Sequence, residues 1–430
     1  MPIERINGRE EVRESEASLA AWVDCEIPLE RSYLLRYWKF LLQGRGTRLT
    51  LEDLQEASRL CEGIAIHRMA CLKGVEIDTL DLSSLSYTGT VKTGSGCYIS
   101  ACCRKDNVKS FVILSSGNKA NSLRAYALRL GVSVISVVPE ESVAKLCEIA
   151  PSAPDSRDLV IVMEAGTDEM MKAYGRRLAH ALGVPCQPIF EDYQQVDRLR
   201  ALAYAEHLVR HGIAGFTHFF QPVSSNYGLY GTFRGLTELA ERGLIRASHP
   251  IPVGVQQGGI CPLVDIFENG VSAAAAFEKA AAAYLHPTVF ERTLFTTHPA
   301  TVEENGWLKK RFGGRFMTVS WEDLLRYYAT ARNMLEGIGI LLPGELHSLQ
   351  ERTGIMGLVA ILMSIDSGYL CHGDRVLLHF TGGVDKLPPF SGKFSTVLHA
   401  STDMPVPRLV EKIRTVWNHQ IETGETEPVT

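Results

Sequence analysis

Four short stretches of this chain combine residue types that can do chemistry. In the first, the apolar run Phe111–Leu114 stops at Ser115-Ser116-Gly117-Asn118-Lys119, and a helical pattern follows with Leu123, Ala127 and Leu130 on one face. A strand, a polar turn and a helix in that order gather hydroxyls, a carboxamide and free backbone N–H groups at a helix N-terminus, which is an anion site. The second, Thr88-Gly89-Thr90-Val91-Lys92, lies upstream and ends on a primary amine. Such an amine can link covalently to a carbonyl or move a proton. In the third, Phe219-Phe220-Gln221-Pro222-Val223 runs into Ser224-Ser225-Asn226-Tyr227-Gly228 and then a helix. Serine hydroxyls and helix N–H groups there can hold a dianion. The fourth is a buried-strand pattern, Arg375–Phe380, that ends on Thr381-Gly382-Gly383.

The elements around these motifs alternate. Strands are predicted at Phe111–Leu114, Val132–Val138 and Leu159–Met163, with helices at Ser122–Leu130, Glu141–Ile149 and Thr167–Leu182. The series continues with strands Phe216–Val223 and Ile251–Gln256 and helices Tyr230–Arg242, Ala273–Tyr284, Glu322–Leu335 and Glu345–Met363. Strand Arg375–Phe380 and helix Pro407–Asn418 close it. Alternation at this spacing predicts an α/β fold with parallel-rich sheets flanked by helices. The first 75 residues read as mostly helical, with a capping box at Thr50–Asp53. The organisation expected is a helical N-terminal part of a large domain over 1–84, a smaller inserted α/β domain over 85–210, the rest of the large domain over 211–420, and a solvated tail over 421–430.

Bulk properties exclude several classes. At 430 residues the chain is long enough for two domains or one large α/β body, and 45% hydrophobic with 22% charged residues is ordinary for a globular protein. A net charge of −5 gives no general attraction to nucleic acid or membrane surfaces. The ten cysteines include no C-x-x-C and read as reduced thiols of a cytoplasmic protein; Cys97, Cys102 and Cys103 read as core. No apolar signal region and no membrane-length apolar run is present. Gly89 and Gly94 have the glycine spacing of a nucleotide P-loop, but Ser95 stands where its lysine is needed. No G-x-G-x-x-G follows a strand. His207 and His211 share a helix face without an acidic or cysteine partner in sequence, and read as surface histidines rather than metal ligands.

Taken together and in order, the motifs resemble the pyridoxal phosphate enzymes of the tryptophan synthase β family (fold type II), in their threonine synthase-like branch. T-G-T-V-K resembles the family's T-G-S-F-K-D-R-G, with Thr93-Gly94-Ser95 in place of Asp-Arg-Gly. S-S-G-N-K-A resembles S-S-G-N-T-G, with Lys119 where threonine is usual. Residues 224–228 stand where the family has a glycine-rich phosphate loop of G-x-G-G type, with Ser225 and Tyr227 replacing glycines. The flanking G-L-Y-G-T-F-R-G-L-T-E-L and P-V-G-V-Q-Q-G-G-I-C-P-L-V also follow the branch. The resemblance runs from about residue 30 to 390.

The resemblance implies a two-domain fold type II enzyme with pyridoxal 5'-phosphate in the interdomain cleft, and a homodimer. It makes Lys92 the catalytic lysine that carries the cofactor. Asn118 would bond the cofactor's 3′-oxygen. Ser224, Ser225, Asn226, Tyr227 and Gly228 would cradle its phosphate, and Thr381 would meet its ring nitrogen. Thr88, Ser115, Ser116, Gly117, Asn118 and Lys119 would hold the substrate, an amino acid bound through its α-carboxylate. The implied reaction is β- or γ-elimination or replacement on an activated, phosphorylated amino acid, as in threonine synthase. Cysteate synthase-like β-replacement fits the same residues. A non-catalytic relative that senses a ligand is a third reading: the altered residues after Lys92 and the sparse loop glycines favour it, and Lys92, Asn118 and Thr381 oppose it.

Overall fold

The structure, a computed structural model, describes residues 19–43, 49–115, 117–151, 157–164, 168–187, 190–245, 249–283, 289–291 and 293–423. The strands among them are β1 (Ala65–Leu72), β2 (Val75–Asp81), β3 (Ser110–Ile113), β4 (Ser133–Pro139), β5 (Asp158–Met163), β6 (Cys186–Gln187), β7 (His218–Pro222), β8 (Ile251–Gln257), β9 (Arg315–Val319), β10 (Arg375–Phe380) and β11 (Thr396–Ala400). They form two sheets, in the orders β1-β2-β10-β7-β8-β9 and β11-β5-β4-β3-β6. Every pairing is parallel except the β1–β2 hairpin. Among the described residues no helix is long and apolar enough to cross a membrane.

Each sheet belongs to its own compact unit. The larger unit takes the N-terminal helices Tyr33–Arg36 and Trp38–Leu42, then Cys61–Ser86 and Tyr193–Val384. Its central strands β7 and β10 are buried on both faces, which is why they read as near-continuous apolar runs. Helix Thr353–Asp366 is buried everywhere except Met363 and Asp366 and packs on β7 and β10. Such all-round apolarity marks a core helix. Gly357 lets it approach, since a Cβ there would lie 2.7 Å from Leu378 Cδ1.

The smaller unit takes helix Leu51–Ala57, Tyr87–Asp192 and the chain from Asp385 on. Strand β4 is buried at every position. The fully buried Arg124 lies on helix Asn118–Arg129. Its Nε donates to both oxygens of Asp158 at 3.1 Å, Nη1 to the Cys147 carbonyl at 2.8 Å and Nη2 to Ser395 Oγ at 3.2 Å. One guanidinium thus ties the helix to the starts of β5 and β11. Full hydrogen bonding is what makes a buried ion pair tolerable.

The structure corrects several expectations. The region before residue 75 holds β1, which pairs with β2 as a hairpin turning at Lys73 and Gly74, both at positive φ. The half-exposed alternation of β1 is a weaker signal than the apolar runs of central strands. The helix predicted at Glu141–Ile149 is a short 3-10 turn, Glu140–Lys145, and that at Glu345–Met363 starts only at Thr353. Helices Phe190–Asp197 and Val302–Phe312 and strands β9 and β11 lie where no element is predicted, whereas helix Arg200–His211 carries His207 and His211 as their spacing requires. The unit boundaries also differ. Helix Arg200–His211 packs on helix Tyr227–Glu241 in the larger unit, so the smaller one ends at Asp192 rather than 210. Strand β11 pairs with β5, and the last helix, Val406–Thr423, packs on Asp168–Leu182, which brings the chain after Asp385 into the smaller unit. Helix Leu51–Ala57 joins it through Lys105–Asp53 at 2.7 Å and Arg104–Glu56 at 2.8 Å. The last helix runs to Thr423, into the predicted tail, whose remaining residues lie outside those described. His207 is buried rather than at the surface, with Nε2 3.1 Å from Asp78 Oδ2, and Cys102 is only half-buried.

Candidate cofactor and substrate site

The smaller unit carries the lysine and the S-S-G-N turn. Lys92 is half-buried at the N-cap of helix Thr93–Lys105. Its backbone N–H donates to Thr90 Oγ1 at 2.9 Å, and Thr93 Oγ1 donates to the Thr90 carbonyl at 2.8 Å. These bonds fix the backbone on both sides of the amine. Buried Thr88 hydrogen-bonds Thr93, and its Oγ1 lies 3.1 Å from Ser122 Oγ on helix Asn118–Arg129. A chain of hydroxyls therefore joins the lysine motif to the helix of the S-S-G-N turn. The altered triplet after Lys92 is packed into the interior of the smaller unit. Thr93, Gly94 and Ser95 are all buried, and a Cβ on Gly96 would lie 2.6 Å from the Ser122 backbone. The two helices meet closely at Gly96, directly after the triplet.

Ser115 is half-buried, and Ser116 lies outside the described residues. Gly117 has φ 88° and ψ −134°, open to glycine and strained for other residues. It turns the chain so that Asn118, half-buried, starts the helix, followed by half-buried Lys119. Asn121, one turn on, was not singled out from sequence. It donates to the Lys145 carbonyl and accepts from the Cys147 N–H, both at 2.9 Å, and so holds the loop after β4.

The larger unit carries the other two motifs. Residues 224–228 link β7 to helix Tyr227–Glu241, whose first-turn N–H groups receive no side-chain cap. Asn226 sits in the left-handed region at φ 63°. Asparagine is one of the few residues besides glycine that tolerates it. Its Nδ2 donates to Asn305 Oδ1 at 2.5 Å, while its own Oδ1 is buried without a partner among the described residues. Ser224 Oγ lies 2.5 Å and Ser225 Oγ 3.3 Å from Thr296 Oγ1, and Thr301 Oγ1 donates to the Ser225 carbonyl. The loop thus replaces glycine freedom with side-chain braces from residues 296–305. Those braces were missed in the sequence because they lie about 70 residues downstream in a segment without periodicity.

Thr381 follows β10 and is 5% exposed; its Oγ1 has no hydrogen-bond partner among the described residues. A buried hydroxyl without a partner is costly; Thr381 shares that state with Ser95, Ser100, Ser136, Ser142 and Tyr174, and differs from them in standing at the turn that ends β10. A Cβ on Gly382 would meet the Glu351 carboxylate, so this carboxylate packs directly against the turn. His379, fully buried, has Nδ1 2.8 Å from Gln221 Oε1. Burial, aided by the charge of Arg200, pushes its imidazole well below the usual range, so it is neutral at physiological pH.

Known proteins resemble this chain in sequence and in fold. Threonine synthase of Mycobacterium leprae (strain TN) is 23% identical over 360 residues, 82% of this chain and 89% of that one. Threonine deaminase isoform 2 of Solanum lycopersicum superposes with a TM-score of 0.52 at 10% identity, over 95% of this chain and 94% of that one. A pyridoxal 5'-phosphate-dependent aspartate racemase superposes with a TM-score of 0.50 at 14% identity, over 80% of this chain and 98% of that one. The fold is that of the fold type II pyridoxal phosphate enzymes. Within this fold type II chain, residues 272–393 match a family of unknown function (DUF6002). That segment contains Thr296, Thr301 and Asn305, which brace the loop at 224–226, and Thr381 itself.

Proposed function

We propose that this chain is a pyridoxal phosphate-dependent lyase or synthase that eliminates or replaces a β or γ leaving group on an activated amino acid, in the manner of threonine synthase. The observation that carries the reading is the Thr381 hydroxyl, buried and unpartnered at the end of β10. When bound, the cofactor supplies an electron sink for charge that develops at the substrate Cα. Lys92 holds the cofactor and moves the Cα proton. The N–H groups opening helix Tyr227–Glu241, with Ser224, Ser225 and the αL turn at Asn226, take its phosphate. Asn118 bonds its 3′-oxygen. Thr88, Ser115, Ser116, the Gly117 N–H and Lys119 hold and orient the substrate carboxylate. Thr381 bonds the ring nitrogen without protonating it, because a neutral hydroxyl has no proton to yield at that pKa. With a neutral hydroxyl at that position, charge developing at Cα would be left to expel a leaving group.

The residues present fit the group. Braces and an αL asparagine replace the missing loop glycines, and small buried residues replace the pair after Lys92. These substitutions are accommodated by packing, which favours a working site over a decayed one. Homodimerisation is part of the same proposal. The purified protein should absorb in the visible as a cofactor-bearing enzyme. Incubated with phosphoserine or O-phosphohomoserine, it should release inorganic phosphate from at least one of them. A protein that takes up pyridoxal phosphate yet releases no leaving group from either, while keto acid accumulates with other amino acids, would refute elimination chemistry.

The phosphate assignment has its own test. Ser225→Asp places a carboxylate against a dianion. At about 4 Å and an effective dielectric near 20 the repulsion is roughly 4 kcal/mol per charge pair, so cofactor retention on dialysis should fall at least about tenfold. Wild-type retention in this variant moves the phosphate away from residues 224–228.

A further inference from the structure

Arg200 opens helix Arg200–His211 and is 1% exposed. Its Nη2 pairs with the equally buried Asp197, but Nε and Nη1 have no partner among the described residues, and neither has Asp197 Oδ2. A guanidinium carries five donors and no acceptor, and leaving several of them unbonded in the interior is costly. One of these free donors, Nη1, lies beside Gly228. A Cβ on Gly228 would lie 2.6 Å from Arg200 Nη1 and 2.8 Å from Gln221 Nε2. Gly228 is the second residue of helix Tyr227–Glu241 and is not among the positive-φ glycines. Its missing side chain therefore serves space rather than backbone freedom, and what fills the space is the unpaired end of Arg200.

We propose that Arg200 is a cofactor-binding residue of this chain, supplying positive charge to the phosphate at the N-terminus of helix Tyr227–Glu241 through the gap left by Gly228. The inference rests on the pyridoxal phosphate reading and extends it. Helix N–H groups alone offer partial charge. A phosphate ester carries close to two negative charges at neutral pH, and a guanidinium matches it in charge and in hydrogen-bond geometry. Asp197 fixes the guanidinium by one edge and leaves Nη1 toward Gly228. In a loop where serine and tyrosine replace glycines, the cation compensates for backbone N–H groups that no longer approach the anion as closely.

The test compares two probes on the full chain stripped of cofactor: pyridoxal phosphate and pyridoxal, which lacks the phosphate. Both are titrated by absorbance and fluorescence into the wild type, Arg200→Lys, Arg200→Met and the double variant Arg200→Met/Asp197→Asn. The double variant removes both charges, so no uncompensated buried carboxylate threatens folding. Loss of a charge-assisted phosphate contact should weaken pyridoxal phosphate binding by about tenfold or more in the Met variants, with Arg200→Lys intermediate. Pyridoxal affinity should change by less than about twofold, because that probe carries no phosphate charge. Equal weakening of both probes would show a packing role only and overturn the proposal, as would unchanged pyridoxal phosphate affinity in the double variant. A wild type that binds neither probe overturns the cofactor reading itself, a result distinct from a wild type that binds and variants that match it.

Discussion

Borohydride treatment of the cofactor-loaded protein should fix the cofactor on Lys92, and peptide mapping should find the label there. Lys92→Ala should lose the visible absorbance of the bound cofactor. It should also lower turnover by at least about 10²–10⁴-fold, the usual contribution of a positioned base, before the loss of attachment is counted. The physical ground is how the structure fixes the backbone that carries this amine. Lys92 is half-buried at a helix start, its backbone N–H donates to Thr90 Oγ1, and Thr93 is bonded to the Thr90 carbonyl and to Thr88. Backbone fixed on both sides lets one flexible side chain return to the same carbon. Label on another lysine, or full turnover in Lys92→Ala, would remove this residue from the reaction. Thr88→Val is a milder probe of the same geometry. It keeps shape but cuts the link to Ser122.

The second large effect is expected at Thr381. Thr381→Asp would put a carboxylate where the structure has a buried, unpartnered hydroxyl. A carboxylate next to the ring nitrogen stabilises its protonated form, and a protonated ring is a stronger sink. Substrate should then produce a long-wavelength absorbance band that the wild type lacks. The native elimination or replacement should slow by about tenfold or more, as charge that should expel the leaving group is held by the ring instead. Side transamination should rise. An unchanged spectrum together with unchanged turnover would mean that Thr381 does not face the ring nitrogen. Thr381→Val separates polarity from charge: it should weaken the native reaction without producing the band.

What could be read from the sequence was local. The run Phe111–Leu114 followed by S-S-G-N gave a strand, a turn at a positive-φ glycine and a helix start, and all three are present. The capping box at Thr50–Asp53 forms as its spacing requires. Lys92 stands at a helix start and Thr381 just after a buried strand, as their motifs required. In each case the determining interactions span a few residues, so they are written in consecutive positions. Strand β1 was missed for the complementary reason: at a sheet edge, apolar periodicity is diluted by side chains that face water. Its partner β2 is interior and mostly buried, but Glu76, Asp78, Thr79 and Asp81 interrupt its apolar run.

The tertiary structure decided which distant groups serve the motifs. Periodicity states that a face is buried but not against what. Nothing near residue 225 announces that Thr296, Thr301 and Asn305 brace the loop at 224–226, or that Asn226 is held left-handed there. Nothing in S-L-R-A-Y-A foretells that Arg124 is buried against Asp158 and Ser395, or that Ser122 meets Thr88. Arg200 reads as an ordinary helix arginine until the fold places its unpartnered Nη1 against Gly228. The motifs determine the chemistry because reactive groups need particular atoms at short spacing. The anchoring partners depend on close packing between elements far apart in the chain, and that complementarity exists only once the elements have met.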